Sequence, residues 1–120
     1  MEDKVFLKKL REDLYLLSRE AEYQINWLKS VADFDLGVDE LALEYYDRFI
    51  IVPYKKDVCN FSEQLVERLN TLNKVLTDMS GQQNAGLWTY DALRRSPEWE
   101  AVRALAGQCL NLLPNRRQAL

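Results

Sequence analysis

Five carboxylates stand at helical spacing in two separate parts of the chain, where their combination could bind a metal ion. Glu40, Glu44 and Asp47 follow at intervals of four and three residues, and Glu63 precedes Glu67 by four. Side chains at these intervals share one face of a helix. Because Mg²⁺ prefers oxygen ligands, two such faces in contact could hold magnesium for phosphate chemistry. On this hypothesis the protein is a magnesium-dependent enzyme.

Part of this set resembles a known pattern. Glu44-Tyr45-Tyr46-Asp47 resembles one half of the E-x-x-D pattern of all-α nucleotide pyrophosphohydrolases. The resemblance implies a magnesium-dependent hydrolase of a phosphorylated small molecule. The matching E-x-x-E half has no counterpart in the chain. Carboxylates on the outside of helices are usually solvated or paired with basic side chains, and the sequence favours that simpler interpretation.

A second acidic group is spaced like the ligands of a calcium-binding EF-hand loop. If Asp33 is position 1, then Asp35, Asp39 and Glu44 fall at positions 3, 7 and 12. The glycine that the sharp turn requires at position 6 is at position 5, as Gly37. Aspartates also serve at helix ends, in turns and as N-caps. We therefore interpret this segment as a capped turn between two helices.

The chain contains no histidine. This excludes Ser-His-Asp and Cys-His catalysis and every zinc site that needs a histidine ligand. Cys59 and Cys109 are too few for a four-cysteine zinc site, and both lie in apolar helical patterns, where a cysteine packs as a small hydrophobe. No glycine-rich phosphate loop occurs. The sequence therefore predicts no cofactor and no catalytic residue.

The charge and the hydropathy restrict the classes of partner. A net charge of −3 argues against nucleic acid, which requires a concentrated basic surface. The N-terminus has no signal-peptide pattern, and no apolar run approaches the roughly 18 residues of a membrane span. We expect a cytoplasmic protein that binds neither nucleic acid nor membrane. The alternative, nucleic-acid binding, would have to use the basic side chains of Arg94, Arg95, Arg103, Arg116 and Arg117.

Aromatic side chains, 11% of the chain, are the most informative group. Tyr and Trp are enriched at the energetic centres of protein interfaces, although a small core also needs large side chains. We predict a non-enzymatic helical module for protein–protein interaction, such as an adaptor, an immunity protein or an antitoxin-like regulator. Its partner is another protein or a second copy, with a homodimer expected. The predicted partner-binding face consists of Leu16, Tyr23, Trp27, Val31, Trp88 and Tyr90.

Apolar residues that recur at intervals of three and four predict the helices that position these side chains. Pro53 and Gly81 end the second and third helices, and Ser96-Pro97 begins the fourth. The pattern also allows a short helical turn from Tyr90 to Arg95, after a polar loop. The predicted helices are 3–34, 39–51, 58–80 and 97–112.

No segment alternates with the two-residue period of a strand, so the predicted fold class is all-α. Short connections favour antiparallel neighbours. We therefore expect an up-and-down four-helix bundle with a long helix 1, a short helix 2, a long helix 3 and helix 4 after the loop. Residues 1–113 should form a single helical domain, and residues 114–120 a frayed tail.

Overall fold

The structure, a computed structural model, describes residues 1–31 and 37–114. These residues contain helices and no strand, which confirms the all-α prediction for this part of the chain. Within the described residues the first predicted helix is divided in two and a short extra helix follows the second, so a simple four-helix bundle is not confirmed; the third remains a single helix, and the fourth has its predicted bounds of 97–112. The helices are α1 (Asp3–Ser18), α2 (Ala21–Ser30), α3 (Asp39–Phe49), α4 (Val52–Lys55), α5 (Glu63–Asp78), α6 (Tyr90–Arg95) and α7 (Pro97–Leu112), with a 3₁₀ helix (Gln82–Leu87) between α5 and α6.

Helix α7 lies at the centre of the core, packed against α1 and against α5, while α3 packs on α1. Its inner face carries Trp99, Val102, Ala106 and Cys109, and all four side chains are fully buried. Their spacing of three and four residues is that of a single helical stripe. The core therefore depends on the last helix of the described chain.

The predicted helix over residues 3–34 is wrong in one respect, because it is interrupted after Ser18. Arg19 and Glu20 adopt extended backbone angles (φ −82°, ψ 161° and φ −63°, ψ 160°), and α2 then begins at Ala21. Neither residue is a proline or a glycine, so the local sequence contains no helix-breaking signal. The predicted end of this helix at residue 34 lies outside the described residues.

The corner between α1 and α2 is held by the buried Gln24 and the partly buried Arg103. The Gln24 side chain is fully buried, and its Nε2 donates to the carbonyl oxygens of Leu16 at 3.1 Å and Leu17 at 3.2 Å. Arg103 donates from Nε to the Arg19 carbonyl at 3.0 Å and from Nη2 to Gln24 Oε1 at 3.1 Å. Carbonyls at a helix end have no partner within the helix. Gln24 and Arg103 supply that partner.

The second predicted helix also ends differently. Helix α3 stops at Phe49, and Ile50 and Ile51 keep right-handed helical angles before α4 begins. Pro53 is in the first turn of α4, where its missing N–H costs no helical hydrogen bond. The chain therefore continues to wind past the residue predicted to stop it.

Side-chain caps mark the starts of α5 and α7. Ser62 is the N-cap of α5, because its Oγ accepts from the Leu65 N–H at 3.0 Å, so this helix begins at Glu63 and not at the predicted residue 58. Ser96 caps α7 by accepting from the Glu98 N–H at 3.1 Å, which agrees with the predicted start. Gly81 has a φ of 106°, an angle that strongly favours glycine.

Candidate functional site

A surface cleft of about 440 Å³ lies between α1, α2 and α3. Leu16, Tyr23 and Trp27, three residues of the predicted partner-binding face, line it. Leu16 is nearly buried at its base, whereas Tyr23 remains 40% exposed. Trp27 is partly buried and packs against the core. The structure thus brings half of the predicted face together around one concave surface.

One wall of the cleft is an ordered aromatic pair. The rings of Tyr15 and Tyr23 meet edge to face, with centroids 5.9 Å apart and planes at 84°. The Arg19 guanidinium lies over both rings, 5.2 Å from the Tyr15 centroid and 5.1 Å from the Tyr23 centroid. Such cation–π contacts restrict both partners. The predicted partner-binding face did not include Tyr15, because this contact forms across the corner at Arg19 and Glu20, which helical spacing does not describe.

The base of the cleft contains a buried ion pair. Arg48 of α3 donates from Nε to Asp13 Oδ2 at 2.9 Å and from Nη2 to Glu44 Oε2 at 3.2 Å. Burial raises the pKa of Asp13 to about 6, although the hydrogen bond from Arg48 acts in the opposite direction. Near neutral pH this site therefore keeps a carboxylate in a place where burial disfavours its charge.

The carboxylates of the metal hypothesis are distributed over different surfaces. Glu44 is paired with Arg48 in the cleft, and Glu63 and Glu67 line a separate depression of about 540 Å³ along α5. Glu40 and Asp47 belong to α3. Within residues 1–31 and 37–114, no three acidic or cysteine side chains are grouped so that they could hold a metal ion. Asp33 and Asp35 lie outside the described residues.

The other half of the predicted face does not line this cleft. Trp88 packs edge to face on Trp99 at a centroid distance of 5.3 Å, and its Nε1 donates to the Met79 carbonyl at 2.8 Å. The Lys29 ammonium lies 5.4 Å from the centre of the Tyr90 ring. Val31 is 46% exposed at the end of α2. Trp88 therefore fastens the 3₁₀ segment to the core.

Both cysteines are buried. Burial raises the pKa of Cys59, and it raises the pKa of Cys109 to about 12. A thiol acts as a nucleophile through its thiolate, which these environments disfavour. Neither cysteine is therefore arranged for nucleophilic chemistry.

No protein-family profile, curated protein or solved structure matches this chain. None of the helices in the described part combines the length and the apolar content that crossing a membrane would require. The candidate site is therefore defined by its geometry, as a mixed aromatic and charged cleft.

Proposed function

We propose that the protein is a small, non-enzymatic helical module that binds another protein at the cleft between α1, α2 and α3. One observation supports this function above the others. Tyr15 and Tyr23 remain 44% and 40% exposed beside Trp27, although the core closes without them. Tyr, Trp and Arg dominate the energetic hot spots of protein interfaces, and this cleft also contains Arg11 and Arg48.

The cleft is ordered before any partner arrives. Arg19 fixes the two tyrosine rings, and the ion pairs of Arg48 with Asp13 and Glu44 fix the base. Preorganised side chains lose less conformational entropy on association, so more of the contact energy appears as affinity. This property suits recognition of a folded or helical segment.

The chemistry of the walls indicates the chemistry of the partner segment. An apolar side chain fits beside Tyr23 and Trp27, and groups of both charges border it, among them Lys9 and Glu12. We therefore propose a segment with one apolar anchor and flanking polar or charged groups. Another protein fits this description, and so does a second copy of this chain.

A photo-crosslinking residue at position 23 tests this proposal, with the same residue at Lys74 on α5 as the control. We expect a defined product from position 23 alone. Affinity for the purified crosslinked protein should then fall roughly 30-fold in Trp27→Ala, as expected for a hot-spot tryptophan. Calorimetry measures the affinity, and circular dichroism verifies the fold.

Two results decide the outcome. If both Trp27→Ala and Tyr23→Ala retained the full affinity, the cleft would not be the binding site. If the crosslinked product were a second copy, the module would be self-associating, and sedimentation equilibrium should then show a dimer that Trp27→Ala weakens.

A further inference from the structure

A second surface of the molecule carries an exposed apolar stripe along α3 and α4. Ten large apolar residues of the described chain are exposed, and half of them lie between residues 43 and 58. Successive members of this second group of five are three, four, four and four residues apart, which places them on one helical face. The α3–α4 stripe consists of Leu43 (47% exposed), Tyr46 (49%), Ile50 (49%), Tyr54 (82%) and Val58 (60%).

The backbone keeps this stripe continuous across the junction between the two helices. Ile50 and Ile51 have right-handed helical angles. The N–H groups of Lys56 and Cys59 donate to the carbonyls four residues earlier, both at 2.9 Å. At the junction Ile51 and Tyr54 donate to the carbonyls three residues earlier, at 3.0 and 2.9 Å, so the winding tightens there but stays right-handed, and the exposed and buried side chains keep their separate faces.

The stripe is not needed for the core. A different face of the same segment, with Leu41, Tyr45, Val52 and Cys59, is buried at 3% exposure or less. The Tyr45 hydroxyl also donates to the Leu69 carbonyl of α5 at 2.7 Å. With its inner face complete, the segment leaves its outer apolar face without a partner in the described structure.

Carboxylates border the stripe. Asp39, Glu40, Asp47 and Asp57 each stand three or four residues from a member of the stripe, and residues at that separation are neighbours on a helix surface. None of these four carboxylates is in an ion pair with any other described residue. The border therefore carries negative charge that no basic side chain in residues 1–31 and 37–114 neutralises through an ion pair.

Two of the three basic residues of the segment are in ion pairs elsewhere, and the third, Lys56, lies beside Asp57 without an ion pair among the described residues. Arg48 binds Asp13 at 2.9 Å in the cleft, and Lys55 binds Asp3 of α1 at 2.7 Å. Lys56 lines the depression along α5. The stripe therefore combines an apolar centre with an acidic border.

We propose that the α3–α4 stripe docks a basic amphipathic helix from another protein. Apolar side chains of that helix would pack on the stripe, in the manner of one helix surface fitting the grooves of another. Its Lys or Arg side chains would face the acidic border. The stripe spans about 22 Å at the helical rise, which matches about four turns of a partner helix.

Charge also distinguishes this partner from the alternatives. A second copy would bring the same carboxylates against Asp47 and Asp57, and like charges at an interface disfavour binding. The negative surface of a membrane with anionic lipids would be repelled for the same reason. A basic helix gains from every one of these contacts. The proposal does not depend on the cleft, because the stripe residues do not line it.

Two synthetic peptides of about 18 residues, labelled with fluorescein, test the proposal by fluorescence anisotropy with the whole chain. The first has leucines at intervals of three and four with flanking lysines, and the second has glutamates in place of the lysines. We expect the basic peptide to bind at least about tenfold more tightly, with an affinity that falls as salt increases.

Matched variants locate the binding surface. The double variant Leu43→Gln, Ile50→Gln should weaken the basic peptide at least about tenfold, as loss of central apolar contacts does. Asp47→Asn with Asp57→Asn should weaken it and flatten the salt dependence. Val31→Gln, an exposed apolar position outside the stripe, should leave the affinity unchanged, and so should Trp27→Ala in the cleft. All these positions except Trp27 are exposed, so folding should persist.

Five results would overturn the proposal, and four of them do not involve the cleft. These are equal affinity for both peptides, an unchanged affinity in the stripe variants, a concentration-dependent dimer abolished by Leu43→Gln with Ile50→Gln, and stripe-dependent binding to phosphatidylcholine–phosphatidylserine vesicles. Loss of peptide binding in Trp27→Ala alone would assign the peptide to the cleft and also overturn it. The crosslinking test at position 23 is independent of every one of these results.

Discussion

At Asp13, burial and an ion pair act on the pKa in opposite directions. Burial raises its pKa, the hydrogen bond and charge of Arg48 lower it, and Glu44 and Glu12 raise it slightly. The outcome, about 6, means that the loss of solvation exceeds the attraction of the ion pair. Buried pairs often behave in this way, because desolvation of both charges opposes their mutual attraction.

Replacing Asp13 with asparagine should change how stability depends on pH. The pKa of Asp13 rises from 3.8 to about 6 on folding, so its stabilising contribution is complete below pH 3.8 and is lost as pH rises through 6. Asparagine does not titrate. The free energy of unfolding of Asp13→Asn relative to wild type should therefore increase by roughly 1 to 3 kcal/mol between about pH 4 and about pH 7.

Urea denaturation at a series of pH values measures this difference. Glu67→Gln, at an exposed position of α5, is the control and should follow the wild-type pH profile. A relative stability of Asp13→Asn that stayed constant with pH would show that the carboxyl has an ordinary pKa.

Side chains were predictable from the sequence to the extent that their spacing reflects one helix. Leu16, Tyr23 and Trp27 were assigned to one face by their spacing, and in the structure all three line the same cleft. Asp13 was overlooked although it occupies an apolar position, three residues after Leu10 and four before Leu17. Its role depends on Arg48, which is 35 residues away and on another helix. Spacing along the chain contains no information about such a pair.

At the scale of the element, the corner between α1 and α2 shows how tertiary contacts can end a helix. Arg19 and Glu20 have no local preference for an extended backbone. The extended backbone is stabilised because Gln24 donates to the carbonyls of Leu16 and Leu17 at the end of α1, and Arg103 donates to the Arg19 carbonyl from 84 residues away. The start of α7 was predicted correctly because Ser96 and Pro97 are adjacent to the helix that they begin.

Gln24→Leu tests whether side chains hold this corner. The variant leaves the Leu17 carbonyl and one Arg103 N–H without these partners, and the Leu16 carbonyl keeps only the Arg19 N–H at 3.3 Å, so the free energy of unfolding should fall by about 2 to 4 kcal/mol. Urea denaturation measures the loss. Gln108→Leu, at an exposed position of α7, should change stability by no more than about 0.5 kcal/mol. Equal effects at the two positions would mean that the corner does not depend on Gln24.

At the scale of the whole molecule, the two buried thiols lie in different kinds of structure, one in a turn and one in the central helix. Cys109 is fully buried on α7, which packs against α1 and α5. Cys59 lies in the turn after α4, at 3% exposure. Turns open through local fluctuations, and a central helix opens only when the whole domain unfolds. The two cysteines therefore report on different unfolding events.

Thiol labelling with dithiobis-nitrobenzoate should distinguish these events. In the native protein we expect Cys59, measured in Cys109→Ala, to react at least about tenfold faster than Cys109, measured in Cys59→Ala. The Cys109 rate should follow the global free energy of unfolding as urea is added, and the Cys59 rate should respond less. Identical rates and urea dependences would indicate that the molecule opens only as one unit.

The central place of α7 also affects how the chain folds as it is synthesised. Helices α1 and α5 leave the ribosome with their inner faces exposed, because the helix that covers both emerges after them. The Arg103 contact to Arg19 closes a separation of 84 residues, and contacts so distant in sequence form late. A nascent chain that has not yet extended past α6 therefore presents unprotected apolar surface to chaperones and proteases. Completion of α7 ends that exposure.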